Sequence, residues 1–156
     1  MNTEIERKFL IKNSDWKNVS RSKTTITQGY LNSDPERTVR VRIIGEKGVL
    51  TIKGKNSGIR RAEFEYDIPL ADANALIKLC EKPLIEKIRY YVDHDHMIWE
   101  IDEFQGDNSG LIIAEIELKN ENQEVKIPHW IGEEVSGKVE YYNSSLIKNP
   151  YKNRNP

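Results

Sequence analysis

Arg37-Thr38-Val39-Arg40-Val41-Arg42-Ile43-Ile44 is the stretch that decides the fold. Side chains two apart in a strand point to the same face, about 7 Å from each other. Arg40 and Arg42 therefore share one face, backed by Val39, Val41 and Ile43 on the other. The same sorting repeats on both sides of this stretch. In residues 3–11, Glu4, Glu6 and Lys8 share a face. In 48–53, Lys53 is in phase with Thr51, and in 60–68 Glu63 and Glu65 oppose Ala62, Phe64, Tyr66 and Ile68. Lys87 and Arg89 pair in 85–93, and Glu100 and Asp102 in 96–104. Glu115 and Glu117 oppose Ile112, Ala114, Ile116 and Leu118 in 111–119. With 25–32 these segments predict eight strands, an even number that can close antiparallel.

Turn signals join many of them: Gly45 to Gly48, Asn56-Ser57-Gly58, Asp93-His94-Asp95-His96 and Gly106 to Gly110. Helical spacing occurs over Asp72 to Lys82, stopped by Pro83, and over Asn13 to Val19, with Trp16 inward. Pro128 is expected to start a short helix through Trp130, Ile131 and Val135, and Tyr141 to Ile147 a final one. No linker divides the chain, so 1–156 reads as one domain, with a polar tail over 149–156 expected to fray.

Composition narrows the function classes. The charged fraction of 31% exceeds the usual quarter, yet the net charge is only −1. Such a balance excludes a nucleic-acid binder steered by bulk positive charge. A single cysteine, Cys80, allows no intrachain disulfide and suits a reducing compartment. Met1-Asn2-Thr3-Glu4 opens no leader pattern, and no apolar run reaches the ~20 residues of a membrane span, so a cytoplasmic protein without membrane partners is expected. There is no nucleophile–histidine arrangement and no Gly-X-X-X-X-Gly-Lys loop. His94 and His96 read as parts of a polar hairpin turn, His129 as a helix-start residue, and Cys80 as a small apolar residue.

The charged faces could simply be solvated, as on many antiparallel sheets. Two features favour the opposite placement. Like charges at i and i+2 repel unless something binds between them, whereas ordinary surfaces mix signs. The pieces bearing Trp16, Leu76 and Trp130 also need apolar strand faces to cover. Helices outside put the charges inside. In such a bore, bases suit phosphate oxygens and carboxylates suit Mg2+ or Mn2+.

The opening Glu4-Ile5-Glu6-Arg7-Lys8 resembles the Glu-X-Glu-X-Lys signature of the CYTH superfamily, the triphosphate tunnel metalloenzymes. The resemblance continues in order through Gln28-Gly29-Tyr30-Leu31, Arg40-Val41-Arg42, Leu50-Thr51-Ile52-Lys53, Glu63-Phe64-Glu65, Glu86-Lys87-Ile88-Arg89, Trp99 to Phe104 and Ala114 to Leu118. The compact size is similar to the short bacterial branch, which mostly hydrolyses inorganic triphosphate. The resemblance implies an eight-stranded tunnel, a Mg2+ or Mn2+ requirement and a triphosphate-bearing substrate; with the residue reading, the expected fold is a closed antiparallel barrel with a few helices outside, and two ions are expected to clamp the phosphate chain. One stretch departs: in Ser136-Gly137-Lys138-Val139-Glu140-Tyr141, Lys138 stands where an acid is common and Glu140 where a base is common.

On that resemblance Glu4, Glu6 and Glu117 are expected as the first metal ligands, followed by Glu63, Glu65 and Glu115. Barrel closure would bring the first and last strands together. Arg40, Arg42, Lys53, Lys87 and Arg89 are expected to hold non-bridging phosphate oxygens. Lys8 is assigned to the terminal phosphate or to tuning the nucleophile. Asp102 is assigned to metal, to orienting a base, or to a salt bridge with a tunnel base; these stay open. The leading expectation is a metal-dependent triphosphatase acting on tripolyphosphate and, less well, nucleoside triphosphates. An adenylate cyclase or thiamine triphosphatase of the same superfamily, a non-catalytic polyphosphate or nucleotide binder, and a carrier barrel for an apolar ligand are the competing readings. A homodimer is the one assembly considered.

Overall fold

A computed structural model describes residues 2–154. Among the described residues nine strands occur: β1 (Thr3–Ile11), β2 (Ser22–Asn32), β3 (Arg37–Ile44), β4 (Lys47–Gly54), β5 (Arg60–Ile68), β6 (Ile85–His94), β7 (Met97–Phe104), β8 (Ile112–Glu117) and β9 (Ile131–Glu134). All pairings are antiparallel, and the first eight strands close a ring in the order β1-β5-β4-β3-β2-β6-β7-β8. The eight expected strands are thus present with shifts of a few residues at their ends. At the β6–β7 hairpin, Asp95 and His96 take positive φ of 51° and 62°, the geometry of a tight two-residue turn. His94 and His96 serve that turn.

β1 is the seam. One edge, Glu6 to Leu10, pairs with β8. The other edge is divided: Thr3 to Ile5 pair with β5, and Phe9 and Ile11 with β9. Between those two partners the Glu6 N–H donates to the Ile59 carbonyl at 3.2 Å, and the Lys8 N–H to Ser136 Oγ at 2.9 Å. β9 corrects the expected helix from Pro128. That segment makes one turn, Ile131 N–H to Pro128 O at 3.1 Å, and then satisfies the free edge of β1. A four-residue strand is too short to display its period in sequence.

The helices are fewer and shorter than expected. α1 spans Leu70–Ile77, and the chain then tightens into i→i+3 turns through Cys80. α2 is a single turn, Asn143–Leu146. Asp15–Val19 is a 3-10 turn with Trp16 fully inward. The tail expected to fray carries a 3-10 turn, Tyr151–Asn153, where the Tyr151 N–H donates to Asn108 Oδ1 at 2.8 Å; Asn155 and Pro156 lie outside the described residues.

The apolar core is mostly outside the barrel wall. Ile5, Phe9, Trp99, Ile101, Ala114 and Ile116 face outward and are covered by Trp16 and Trp130. Phe9 and Trp130 meet Trp99 edge to face, with centroids at 5.5 and 5.8 Å. A second outer cluster seats Ala73 and Ile77 of α1 on Val41. Outward apolar faces overturn the apolar-carrier reading. A third cluster uses the inward phase at one end of the bore. Tyr30, Ile85, Phe104, Leu111 and Ile113 pack there against Leu146 and Ile147 from the C-terminal segment, forming an apolar plug.

Gly29 on β2 marks how closely the segment after α1 approaches the wall. A Cβ there would sit 2.7 Å from Cys80 Cβ and 2.8 Å from Leu84 Cδ2. Gly29→Ala is expected to destabilise the protein by about 1–3 kcal/mol, as overpacking does, and urea unfolding of the variant beside the parent measures it.

Candidate active site

The inward phase of the eight strands lines a cavity of about 210 Å³. Every site residue expected from sequence lines it except Asp102, which shares the inward phase but is fully buried beneath Lys87 and Arg89. No Ala, Val, Leu, Ile, Phe, Trp or Met contributes to the lining, among the described residues. Seven cations (Lys8, Arg40, Arg42, Lys53, Arg61, Lys87, Arg89) face seven carboxylates (Glu4, Glu6, Glu63, Glu65, Glu100, Glu115, Glu117). The bore therefore has almost no net charge of its own with which to neutralise a polyanion.

The carboxylates are placed by strand register. Glu6 lies directly opposite Glu117 across β1–β8, and Glu100 opposite Glu115 across β7–β8. Opposed residues on one face have Cβ atoms about 4.5–5.5 Å apart, and like charges so placed destabilise a sheet. The electrostatics follow. Burial and the neighbouring Glu115 and Glu4 push the Glu6 carboxyl well above its ordinary value. Burial and Glu4 likewise raise Glu63 and Glu117. Burial, and then Glu115 against the opposing pull of Arg89, raises Glu100.

Other carboxylates are held by cations. Lys53 Nζ reaches Glu4 at 2.9 and 3.0 Å and Glu63 at 3.4 Å. Against the cost of burial, Lys53 keeps Glu4 below its ordinary value. Lys8 stands between Glu6 at 3.9 Å and Glu115 at 4.0 Å. Despite full burial, Lys8 lowers Glu115 to about 2. Arg42 lies 3.6 Å from Glu65, and burial with Arg40 and Arg89 nearby brings its guanidinium down to about 10.

Asp102 makes the salt bridge, one of its three expected roles. Arg89 donates to both its oxygens, at 2.7 and 2.9 Å, and Lys87 Nζ lies 2.7 Å from Oδ2. These cations overcome burial and hold Asp102 far below the usual carboxylate range. The arrangement is a salt bridge, in which Asp102 fixes two tunnel cations. Burial, opposed by Asp102 and reinforced by Arg89, lowers the Lys87 ammonium to about 8.

A hard-oxygen donor set without His or Cys suits Mg2+ or Mn2+. No three carboxylates already converge as a metal cage among the described residues. Lys53 occupies the space between Glu4 and Glu63, so an ion shared by those carboxylates would displace it. Glu6 and Glu117, opposed and with no cation closer than 3.9 Å among the described residues, offer the readiest donors.

Several lining residues carried no assignment from sequence. Arg61 shares the phase of Glu63 and Glu65, and Glu100 that of Asp102, so alternation alone could have found both. Tyr142, Asn143 and Ser144 arrive from the C-terminal segment, and no local pattern marks them. Asn56 Nδ2 donates to the Tyr142 hydroxyl at 2.6 Å, and Lys87 Nζ to Asn143 Oδ1 at 3.4 Å. The departures at 138 and 140 point to solvent, where Lys138 pairs with Glu133 at 3.0 Å.

Because Glu6 is held against repulsion, neutralising it relieves the ion-free fold. Glu6→Gln is expected to raise the melting temperature in EDTA while lowering phosphate release at least a hundredfold, roughly the loss seen when an electrostatic contact to the transition state is removed. Thermal unfolding and a phosphate assay on the same preparation read both.

Comparison with known proteins places this geometry in a family. The CYTH domain model matches residues 2–151. The chain is 49% identical over 154 residues to an inorganic triphosphatase of Acetivibrio thermocellus, covering 98% of both chains. It is 32% identical over 148 residues to one of Nitrosomonas europaea, covering 92% of this chain and 96% of the relative. A solved inorganic triphosphatase structure superposes with a TM-score of 0.67 at 30% identity, over 92% of this chain and 97% of the other. A Hippeastrum protein, described as an adenylyl cyclase candidate that reveals a dominant triphosphatase activity, superposes with a TM-score of 0.56 at 13% identity, over 77% of this chain and 80% of the other; it shares the fold. The chain belongs to the CYTH domain family.

Proposed function

We propose that this protein is a metal-dependent triphosphatase that hydrolyses inorganic tripolyphosphate to pyrophosphate and phosphate. The observation that carries the reading is the lining of the bore: wholly polar, charge-balanced, and built from like-charged pairs that gain stability only when something binds. Aliphatic and indole surface is absent from the lining among the described residues, and its two aromatic rings are already engaged, Tyr30 in the apolar plug and Tyr142 facing Lys8 Nζ at 5.5 Å, which favours an unadorned phosphate chain. Two relatives that this chain matches over nearly its whole length carry the name inorganic triphosphatase.

Each residue has a role that follows from its charge and place. Arg40, Arg42, Lys53, Lys87 and Arg89 bind non-bridging oxygens and orient the chain for in-line displacement. Asp102 positions Lys87 and Arg89 and keeps their donors aimed at the bore. Lys8 contacts the terminal phosphoryl group. Glu4, Glu6, Glu63 and Glu117 would hold divalent cations, with Glu65 and Glu115 beside them; such ions supply neutralisation of phosphate oxygens and a more acidic attacking water. Water adds to the terminal phosphorus, the bridging P–O bond breaks, and pyrophosphate leaves with the electron pair. A carboxylate of the bore accepts the water's proton. No helix is long and apolar enough to cross a membrane among the described residues.

Two measurements test the reading. Purified protein with Mg2+ or Mn2+ is expected to release phosphate from tripolyphosphate faster than from ATP, and to make no cyclic AMP. Cyclic AMP with pyrophosphate from ATP would make it a cyclase, and no product from any triphosphate would leave a binding module. The second concerns pH. Bound phosphate favours the ammonium form of Lys87, whereas the free bore lets it deprotonate above about 8. KM for tripolyphosphate is therefore expected to rise as pH increases beyond that value. A KM that stays level from pH 7 to 10 in the parent, measured at saturating metal, would remove Lys87 from the phosphate contacts.

A further inference from the structure

The cations of the bore differ in what already holds them. Lys8, Arg42, Lys53, Lys87 and Arg89 each have a carboxylate within 4.0 Å. Arg40 and Arg61 have none among the described residues. The Nε of each is buried without a hydrogen-bond partner. Arg61 makes one weak contact, Nη2 to Thr38 Oγ1 at 3.4 Å. Its strand neighbours cannot neutralise it. Glu4, opposite Arg61 across β1–β5, and Glu63, two residues along β5, are both taken by Lys53. A guanidinium with a desolvated, unpartnered N–H lacks an acceptor it is built to use.

The two free guanidiniums sit toward one end. Arg40 is opposite Tyr30, a member of the apolar plug, and Arg61 bonds Thr38, two residues before Arg40 on β3. Tyr142, on the segment that carries Leu146 and Ile147 into the plug, lines the same cavity. Exposure rises away from the plug: the Glu65 and Glu100 side chains are 48% and 36% exposed, against 1% for Lys87. The bore thus has unpaired positive charge toward the apolar plug and a wet mouth rimmed by carboxylates.

We propose that Arg61, together with Arg40, is the seat of an unesterified terminal phosphoryl group at the plugged end, so that a phosphate chain enters with one free end first. This rests on the triphosphatase reading and gives it a direction. A terminal phosphoryl bears more charge than an internal one, because its second ionisation falls near neutral pH, and it offers three oxygens to two bidentate forks. An esterified end lacks that charge. The selected class is a chain with at least one free terminus: tripolyphosphate or a nucleoside triphosphate, but not a dinucleoside triphosphate capped at both ends.

The test compares tripolyphosphate with a dinucleoside triphosphate, by calorimetric titration and by steady-state kinetics, on the parent, Arg61→Gln and Arg61→Lys. The parent is expected to bind the capped chain at least roughly tenfold more weakly than tripolyphosphate. Arg61→Gln should weaken tripolyphosphate roughly ten- to a hundredfold, the range for a lost charged hydrogen bond, with the effect in KM rather than kcat. Arg61→Lys should recover part of the loss, and neither change should further weaken the capped chain. Equal affinity of the parent for both chains, or an unchanged dissociation constant for tripolyphosphate in Arg61→Gln, overturns the proposal. The capped-chain comparison needs no variant, so it decides the matter even if Arg61→Gln fails to fold. A parent that binds tripolyphosphate in this pattern without releasing phosphate would sink the triphosphatase reading and leave the seat intact; a parent that hydrolyses it with Arg61 indifferent would do the reverse.

Discussion

Charge removed from water must meet opposite charge or a ligand, and this constraint organises the whole molecule. The inner wall of the barrel carries guanidinium, ammonium and carboxylate groups in register. Asp102 is the point on which that wall depends. Fully buried, it receives two hydrogen bonds from Arg89 and one contact from Lys87, all within 2.9 Å. Removing a partner would leave an uncompensated charge in the wall, so the triad fixes the rotamers of two tunnel cations as well as the pairing of β6 with β7.

Because the inner face is spent on charge, the hydrophobic stabilisation has to come from elsewhere. It is found on the outer face, where the Trp16 turn, the Trp130 segment and α1 cover strand faces that would otherwise meet water. The barrel is in this sense turned inside out. The one apolar stretch of the inner face, from Ile85 through Phe104 to Ile113, is where α2 docks. The plug and the outer clusters are thus one answer to one problem, which is where hydrocarbon can go when the bore is ionic.

The ion pairs within the bore hold it in a form that must change on binding. Lys53 clasps Glu4 and Glu63, and Lys8 stands between Glu6 and Glu115. On the proposed function, a polyanion arriving with divalent cations would exchange each of these contacts for another: lysine to phosphate, carboxylate to metal. Such an exchange conserves the number of satisfied charges, so neither partner needs to be stripped bare. It is a physical reason for a near-zero net charge to coexist with an anionic substrate in this family.

Alternation along single strands determined much of this protein by sequence alone. The inward phase of Arg40 and Arg42, of Glu63 and Glu65, and of Glu115 and Glu117 is local, since a period of two is a property of the strand itself. Which way that phase points is nearly as legible, once the tryptophan-bearing segments are seen to need an apolar face. What only the tertiary structure decided is everything that depends on residues far apart in the chain. β9 exists because half of one edge of β1 is left bare by β5. Tyr142 and Asn143 reach the bore because their segment crosses its end. Asp102 became a brace and Arg61 a free guanidinium through the register of neighbouring strands, which places one beside two cations and the other beside carboxylates already claimed. Register is set by the packing of the closed ring, and no single strand carries it.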